Sequence, residues 1–252
     1  MSPSDGKAKT DCWRPPRQQI AHWVRVSGRK GIVVKYIVFD AYGTLLNLSS
    51  LLPQCRAVIG DDAVRFLDLW RRKQLEYAFL RTLMDRYQPF SAVTEDALDY
   101  TLAAFGRTLA ADQRRALAGA WRQTEPYPDA PPVLAALSAW TRVILSNGEP
   151  EMLTASVRHA GLQPHLTDLI SVDAAGRYKP HPAAYRLIVD RYAVNPADVV
   201  FVSSNGWDVA GAAAFGFRTY WIQRTQQPVE RLGVKPFGTL AALTDLLPDL
   251  AP

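Results

Sequence analysis

Only two of the 252 residues are cysteine, Cys12 and Cys55, and neither belongs to a CxxC pair or a Cys/His cluster. A disulfide framework and a structural zinc site are thereby excluded, and a reducing cytoplasm is the expected compartment. The four histidines, His22, His159, His165 and His181, stand at no metal-ligand spacing. No apolar run reaches the roughly 18 residues of a bilayer span, and the N-terminus has no apolar block of the secretory kind, so no membrane contact is expected. A Gly-rich phosphate loop, a Gly-x-Ser-x-Gly elbow and an HExxH helix are also missing. What is there is a balanced globular composition, 48% hydrophobic, 21% charged and 10% aromatic, on a chain long enough to bury a sizeable core.

The formal charge of +5 is unevenly spread. Residues 1–35 hold eight of the 29 basic and two of the 24 acidic residues, which makes that stretch +6 and the remainder −1. The stretch is polar, carries Pro15-Pro16 and shows neither the helical nor the strand period, so residues 1–34 read as a basic, disordered extension. A start at Val34, just ahead of the first strand, would omit it altogether. A nucleic-acid arm would have to reside there, because the rest of the chain has no basic excess. No nucleic-acid partner is expected.

From Tyr36 onward, short β-branched runs alternate with helical patterns. Tyr36–Phe39 ends at Asp40, Arg142–Leu145 leads into Ser146-Asn147-Gly148, Leu169–Val172 into Asp173, and Val199–Val202 into Ser203-Ser204-Asn205, with Thr219–Ile222 as a fifth. Between them Pro150 to Gly161, Pro182 to Tyr192 and Asp208 to Phe215 read as helices. Strand alternating with helix predicts an α/β fold with a Rossmann-like, doubly wound parallel sheet, whose ligands bind beyond the carboxyl ends of the strands. Asn47 to Tyr127 interrupts that rhythm and reads as helical throughout, with Thr94 and Asp112 as N-caps and Pro126 to Pro132 as the return hinge. The expected division is a core of residues 35–46 and 129–252 and an inserted helical cap of residues 47–128.

Asp40 at the end of a buried strand is rigidly aimed at the crevice, where a carboxylate can be a nucleophile, a general base, a metal ligand or simply a turn cap. Thr44, Ser146, Asn147, Lys179, Ser203, Asn205 and Asp208 lie in strand-end loops that converge on the same crevice. Lys179 near Asp40 and Asp208 would keep both carboxylates ionised by lowering their pKa values. In the cap, Val64, Leu67, Leu75, Phe79 and Leu83 trace an apolar stripe, and Arg71 falls on that same face. Its guanidinium either snorkels to the edge or points into the crevice and binds an anion.

FDAYGTL, LSNG, YKPHPAAY and FVSSNGWD, in that order, resemble the four motif regions of the haloacid dehalogenase superfamily, and LWRRKQLEYAFLRTLMDRY at 69–87 is similar to the cap of its L-2-haloacid dehalogenases. The resemblance runs from about Lys35 to the C-terminus. It implies hydrolysis of short (S)-2-haloalkanoic acids through an aspartyl ester on Asp40, with Thr44, Arg71, Ser146, Asn147, Lys179, Tyr185, Ser203, Asn205 and Asp208 in the catalytic set. It further implies that Tyr42, Leu75, Phe90 and Trp207, with Arg71, Ser146 and Asn147, bind the substrate, that no cofactor or metal is used, and that two chains pair as a homodimer. Arg72 departs from the pattern, because relatives often have an uncharged residue there, and this leaves the preferred substrate size open. The phosphatases of the superfamily resemble one another in an acid two residues after the nucleophile and another in the fourth motif; this chain has Tyr42 and Ser204. A magnesium-dependent phosphatase and a non-catalytic binding member are the remaining alternatives.

Overall fold

The computed structural model describes residues 35–250, so the expectations for residues 1–34, including the start at Val34, lie outside it. The first strand, β1 (Tyr36–Phe39), is buried at three of its four positions. The chain then makes the two-residue strand β2 (Leu46–Asn47) and enters the helices α1 (Leu52–Ile59), α2 (Ala63–Leu83), α3 (Phe90–Ala104) and α4 (Ala111–Gly119). It returns through β3 (Glu125–Pro126), α5 (Ala130–Ala136), β4 (Thr141–Ser146), α6 (Pro150–His159), β5 (Asp168–Ser171), α7 (Pro182–Tyr192), β6 (Val199–Ser203), α8 (Gly206–Phe215), β7 (Arg218–Ile222), β8 (Gly238–Leu240) and α9 (Leu246–Leu250).

The sheet has six strands in the order β5-β4-β1-β6-β7-β8, and every pairing in it is parallel. Because β1 lies between β4 and β6, the chain winds outward in both directions from it and leaves a crevice above its carboxyl end. The register places Phe39 beside Ile144 and Val202. Asp40, one residue further on, therefore leaves the sheet between the LSNG and SSN loops, still anchored by its N–H to the Val202 carbonyl at 2.9 Å. The five strands expected from sequence are present within a residue or so of their expected ends; β8 is a sixth, too short and too polar in sequence to stand out.

The helical insertion differs from its sequence reading in four places. It is not helical throughout: β2 and β3 pair antiparallel, Leu46 with Pro126 and Asn47 with Glu125, and so join its exit to its return. Thr94 caps nothing; it is buried inside α3, where its hydroxyl donates to the Phe90 carbonyl at 2.7 Å. Asp112 sits in the first turn of α4, whose N-cap is Ala110. The buried face of α2 is also rotated from the expected stripe. Ala63, Phe66, Leu67, Trp70, Gln74 and Ala78 face inward, while Val64 and Leu83 are 51% and 80% exposed. Aromatic packing lies on the buried side: Trp70 is edge-on against Trp121 at 5.5 Å and against Phe66 at 6.1 Å.

Candidate active site

The Asp40 carboxylate meets four side-chain donors. Lys179 Nζ donates to Oδ1 at 2.8 Å; Thr44 Oγ1, Asn205 Nδ2 and Ser203 Oγ donate to Oδ2 at 2.9, 2.8 and 3.3 Å. The loops that carry them are tied to each other. Ser204 N–H donates to Thr44 Oγ1 at 2.8 Å, and Ser204 Oγ to the Gly43 carbonyl at 2.7 Å. Gly43 is held at φ +89°, with its missing Cβ only 3.2 Å from Ser204 Oγ, so the turn after Asp40 requires glycine.

Lys179 is fully buried, and its ammonium also donates to Asp208 Oδ2 at 2.6 Å and to the Leu145 carbonyl at 3.0 Å. Burial opposes its charge, yet Asp208 and Asp40 outweigh that and raise its pKa above the ordinary lysine value. Asp208 is equally buried and receives the Tyr185 hydroxyl on Oδ1 at 2.7 Å. Here the expected lowering by Lys179 is overturned. Desolvation is the largest effect on Asp208, Asp40 adds like charge, and the pKa is pushed up to about 6 in spite of Lys179 and Tyr185. The Tyr185 hydroxyl is itself raised well above its usual range, by burial and by Asp208.

Asn147 and Ser146 sit at the next loop. Asn147 Oδ1 accepts the Lys179 N–H at 3.0 Å, and Ser146 Oγ accepts the Gly148 N–H at 3.0 Å. Tyr42 is buried, hydrogen-bonded to Ser156 Oγ at 2.8 Å and packed edge-on against Trp121; desolvation raises its pKa, which keeps it a neutral phenol rather than an acid of phosphatase strength. Arg71 lies one step off the buried face of α2, half-buried, with Nη1 donating to Gln74 Oε1 at 2.7 Å and its guanidinium 5.8 Å from the Trp121 ring centre. Desolvation lowers its pKa to about 10, which leaves it cationic, and the charges of Asp40 and Asp208 oppose the lowering. Phe90 is buried beside Tyr178, Trp207 meets Phe79 edge-on at 5.0 Å, and Leu75 is half-buried on α2.

Asp40, Thr44, Lys179, Tyr185, Ser203, Asn205 and Asp208 thus form one continuous hydrogen-bonded network, with Asn147 attached to the Lys179 backbone. The Tyr42 carbonyl accepts from Asn205 Nδ2 at 3.3 Å, whereas the side chains of Arg71, Ser146, Tyr42, Leu75, Phe90 and Trp207 are not bonded to the network. The donor set does not fit a hard divalent cation, which takes several carboxylate oxygens. The Lys179 ammonium already bridges Asp40 and Asp208, Ser204 is turned to Gly43, and no cluster of three or more potential metal ligands occurs among the described residues. Sequence reasoning missed Gln74, the partner of Arg71, and Arg224, which donates to the Thr44 carbonyl at 2.8 Å and to Asp129 at 2.7 Å. It also missed Glu149, which accepts both the N–H and hydroxyl of Ser91 at 3.0 and 2.8 Å. Of these only Arg224, a lone cation after an apolar strand, left a visible mark in the sequence.

Comparison with known proteins gives a consistent picture. Residues 34–216 match the model of the haloacid dehalogenase-like hydrolase family. The chain is 42% identical over 215 residues to (S)-2-haloacid dehalogenase 1 of Pseudomonas sp. (strain CBS-3), covering 84% of this chain and 95% of that one. With the (S)-2-haloacid dehalogenase of Xanthobacter autotrophicus the identity is 44%, covering 84% and 83%. The solved L-2-haloacid dehalogenase of Xanthobacter autotrophicus superimposes with a TM-score of 0.83 at 38% identity, covering 86% of this chain and all of that one, and the same holds for its form with chloropropionic acid covalently bound. With a parallel sheet, a helical cap and a strand-end aspartate in a web of donors, this chain belongs to the haloacid dehalogenase-like hydrolases, among the L-2-haloacid dehalogenases.

Proposed function

We propose that the protein hydrolyses short (S)-2-haloalkanoic acids to (R)-2-hydroxyalkanoic acids through an ester on Asp40. The observation that carries the roles is the asymmetry at that carboxylate: Oδ2 has three neutral donors, whereas Oδ1 has only Lys179. Oδ1 attacks the halogen-bearing carbon from the rear. The new C–O bond forms as the carbon–halogen bond breaks, the halide leaves with the electron pair, and the configuration inverts. Arg71 and Asn147 receive the halide, and Ser146 with the amides near Tyr42 and Asn147 holds the substrate carboxylate. Tyr42, Leu75, Phe90 and Trp207 surround the alkyl group.

Water, oriented by Asp208 with Ser203 and Asn205, then adds to the ester carbonyl carbon of Asp40. Thr44 stabilises the negative charge that develops on Oδ2, with the remaining Oδ2 donors already in place before the charge appears, and Lys179 stabilises the charge on Oδ1 as the ester bond breaks. Asp208 takes the water's proton and returns it to the departing alkoxide. Asp40 is regenerated with one solvent oxygen, and the hydroxyl oxygen of the product is the one Asp40 supplied.

The test is a single turnover of (S)-2-chloropropionate in 18O-labelled water with EDTA present. Chloride should be released, label should enter Asp40, and the product should be unlabelled (R)-lactate. Label found directly in the product would overturn the ester route, and inhibition by the chelator would favour the magnesium-dependent reading. We further propose a core of residues 35–46 and 129–252 and a cap of residues 47–128, a division supported by the β2–β3 pairing at its seam. A homodimer is supported by the exposed Val64, Leu80, Leu83, Met84 and Tyr100 on and beside α2 and α3. A cytoplasmic location is supported by the free, buried thiol of Cys55. No described helix is long and apolar enough to cross a membrane.

A further inference from the structure

Gln74 is a fully buried amide in the middle of the apolar face of α2, and both ends of it are used. Its Oε1 accepts from Arg71 Nη1 at 2.7 Å, and its Nε2 donates to Thr94 Oγ1 at 2.7 Å. The Thr94 hydroxyl passes its own proton to the Phe90 carbonyl at 2.7 Å, while the Thr94 carbonyl takes Trp70 Nε1 at 2.8 Å. A buried polar chain therefore runs from the Arg71 guanidinium across the α2–α3 interface to the first residue of α3. Such a chain costs desolvation unless every member is satisfied, and here every amide and hydroxyl is.

The chemistry of the acceptor is the informative part. The cap arginines that face α3 pair with carboxylates: Arg81 with Asp96 at 2.5 Å, and Arg114 with Asp99 at 2.6 Å and Glu95 at 3.0 Å. Among the described residues, Arg71 has no carboxylate within salt-bridge distance, and its hydrogen-bond partner is neutral. The charges that reach it are those of Asp40 and Asp208 from the core side. On the cap side Glu95 and Asp96 of α3 are turned to Arg114 and Arg81. A neutral acceptor fixes the direction of the guanidinium without cancelling its charge.

We propose that Gln74, held in turn by Thr94, is a positioning residue that aims Arg71 while leaving its positive charge free for a small monovalent anion, the substrate carboxylate or the departing halide. The consequence for turnover rests on the hydrolytic reading above; the consequence for anion binding does not.

Two variants separate aim from charge. Gln74→Glu keeps an acceptor on Arg71 but makes it an anion; Gln74→Met keeps the volume and neutrality but removes the acceptor. Each is titrated with bromide and with acetate, following tryptophan fluorescence, and assayed for chloride release from (S)-2-chloropropionate. For Gln74→Glu, bromide affinity should weaken by more than about tenfold and kcat/KM fall roughly a hundredfold, because an ion pair competes with the ligand for the same guanidinium. For Gln74→Met, bromide affinity should stay within about threefold while kcat drops roughly tenfold at near-unchanged KM, the signature of lost orientation.

A residue that only fills space and satisfies Thr94 would give the reverse order, with the methionine variant the more damaged in both assays. Bromide affinity of the Gln74→Glu protein equal to wild type overturns the proposal. Should that variant fail to fold, a wild-type kcat for Gln74→Met overturns it. If the unmodified protein releases no chloride yet bromide still discriminates the variants, the hydrolase reading falls and the anion-site inference stands.

Discussion

Lys179 has no exposed surface, and its ammonium touches two carboxylates and a carbonyl. Removing Lys179 would leave two buried carboxylates with no counter-ion between them, so both depend on it. Within this trio, burial raises Asp208 to about 6, and the Tyr185 hydrogen bond opposes the rise by favouring the ionised form. A base works only when deprotonated, so the rate should fall as pH drops through about 6. Tyr185→Phe removes the opposing bond, which moves the acid limb to higher pH. At pH 6 the variant should lose roughly two- to tenfold in kcat/KM relative to wild type and converge with it above about pH 8. A pH–rate profile checks this, and an acid limb left in place would show that Asp208 is not the group that titrates. Asp40 and Asp208 could be picked from sequence because they follow strand-like runs, and Lys179 because it stands before Pro180 in a loop on the same side of the sheet. The direction of the Asp208 shift could not, because it depends on complete burial, which no local pattern records.

Helix α8 must come very close to the loop after Lys179 for Asp208 to reach it. Gly211 permits this: a Cβ there would lie 2.5 Å from both Pro180 Cβ and the Tyr185 hydroxyl. Neither neighbour can swing away, since one is a ring and the other is bonded to Asp208. Gly211→Ala should therefore destabilise the protein by about 1–3 kcal/mol through overpacking, even though alanine is the better helix former. It should also reproduce part of the Tyr185→Phe shift in the acid limb. Thermal melting with a pH–rate profile tests both, and a stabilised variant would contradict the packing. The strands were legible at this scale because short β-branched runs ending in polar residues have few other readings. The face of α2 was not. Leu67 belonged to both the expected and the real stripe, and the real one packs Trp70 on Trp121, some fifty residues away and unseen by periodicity.

Cap and sheet meet over the site through side chains that sequence offered only as scattered aromatics and charges. Ser91 is held by Glu149, the Tyr178 hydroxyl donates to the Gln88 carbonyl at 2.5 Å, Tyr87 donates to Asp173, and Phe79 packs on Trp207. The insertion and its seam could be recognised from the broken strand–helix rhythm; which residues close it could not, because that requires the two parts already assembled. Between them Phe79, Thr82, Leu83, Tyr178, Pro180, His181 and Trp207 line an apolar cavity of about 260 Å³ that reaches Lys179. On the proposed function this space adjoins the substrate's alkyl group and would bound the chain length that fits, with Phe79 as its cap-side wall. Truncating that ring leaves the network around Asp40 untouched while adding room. Phe79→Ala should accordingly cost stability, about 3 kcal/mol or less because the ring is only half-buried. Relative to wild type it should raise the ratio of kcat/KM for (S)-2-chlorohexanoate over (S)-2-chloropropionate by roughly fivefold or more, at about one to three kcal/mol for each well-placed methylene. Chloride release from the two acids measures that ratio directly. A uniform loss on both would mean that the phenyl ring orders the cap over the site rather than bounding the space for the chain.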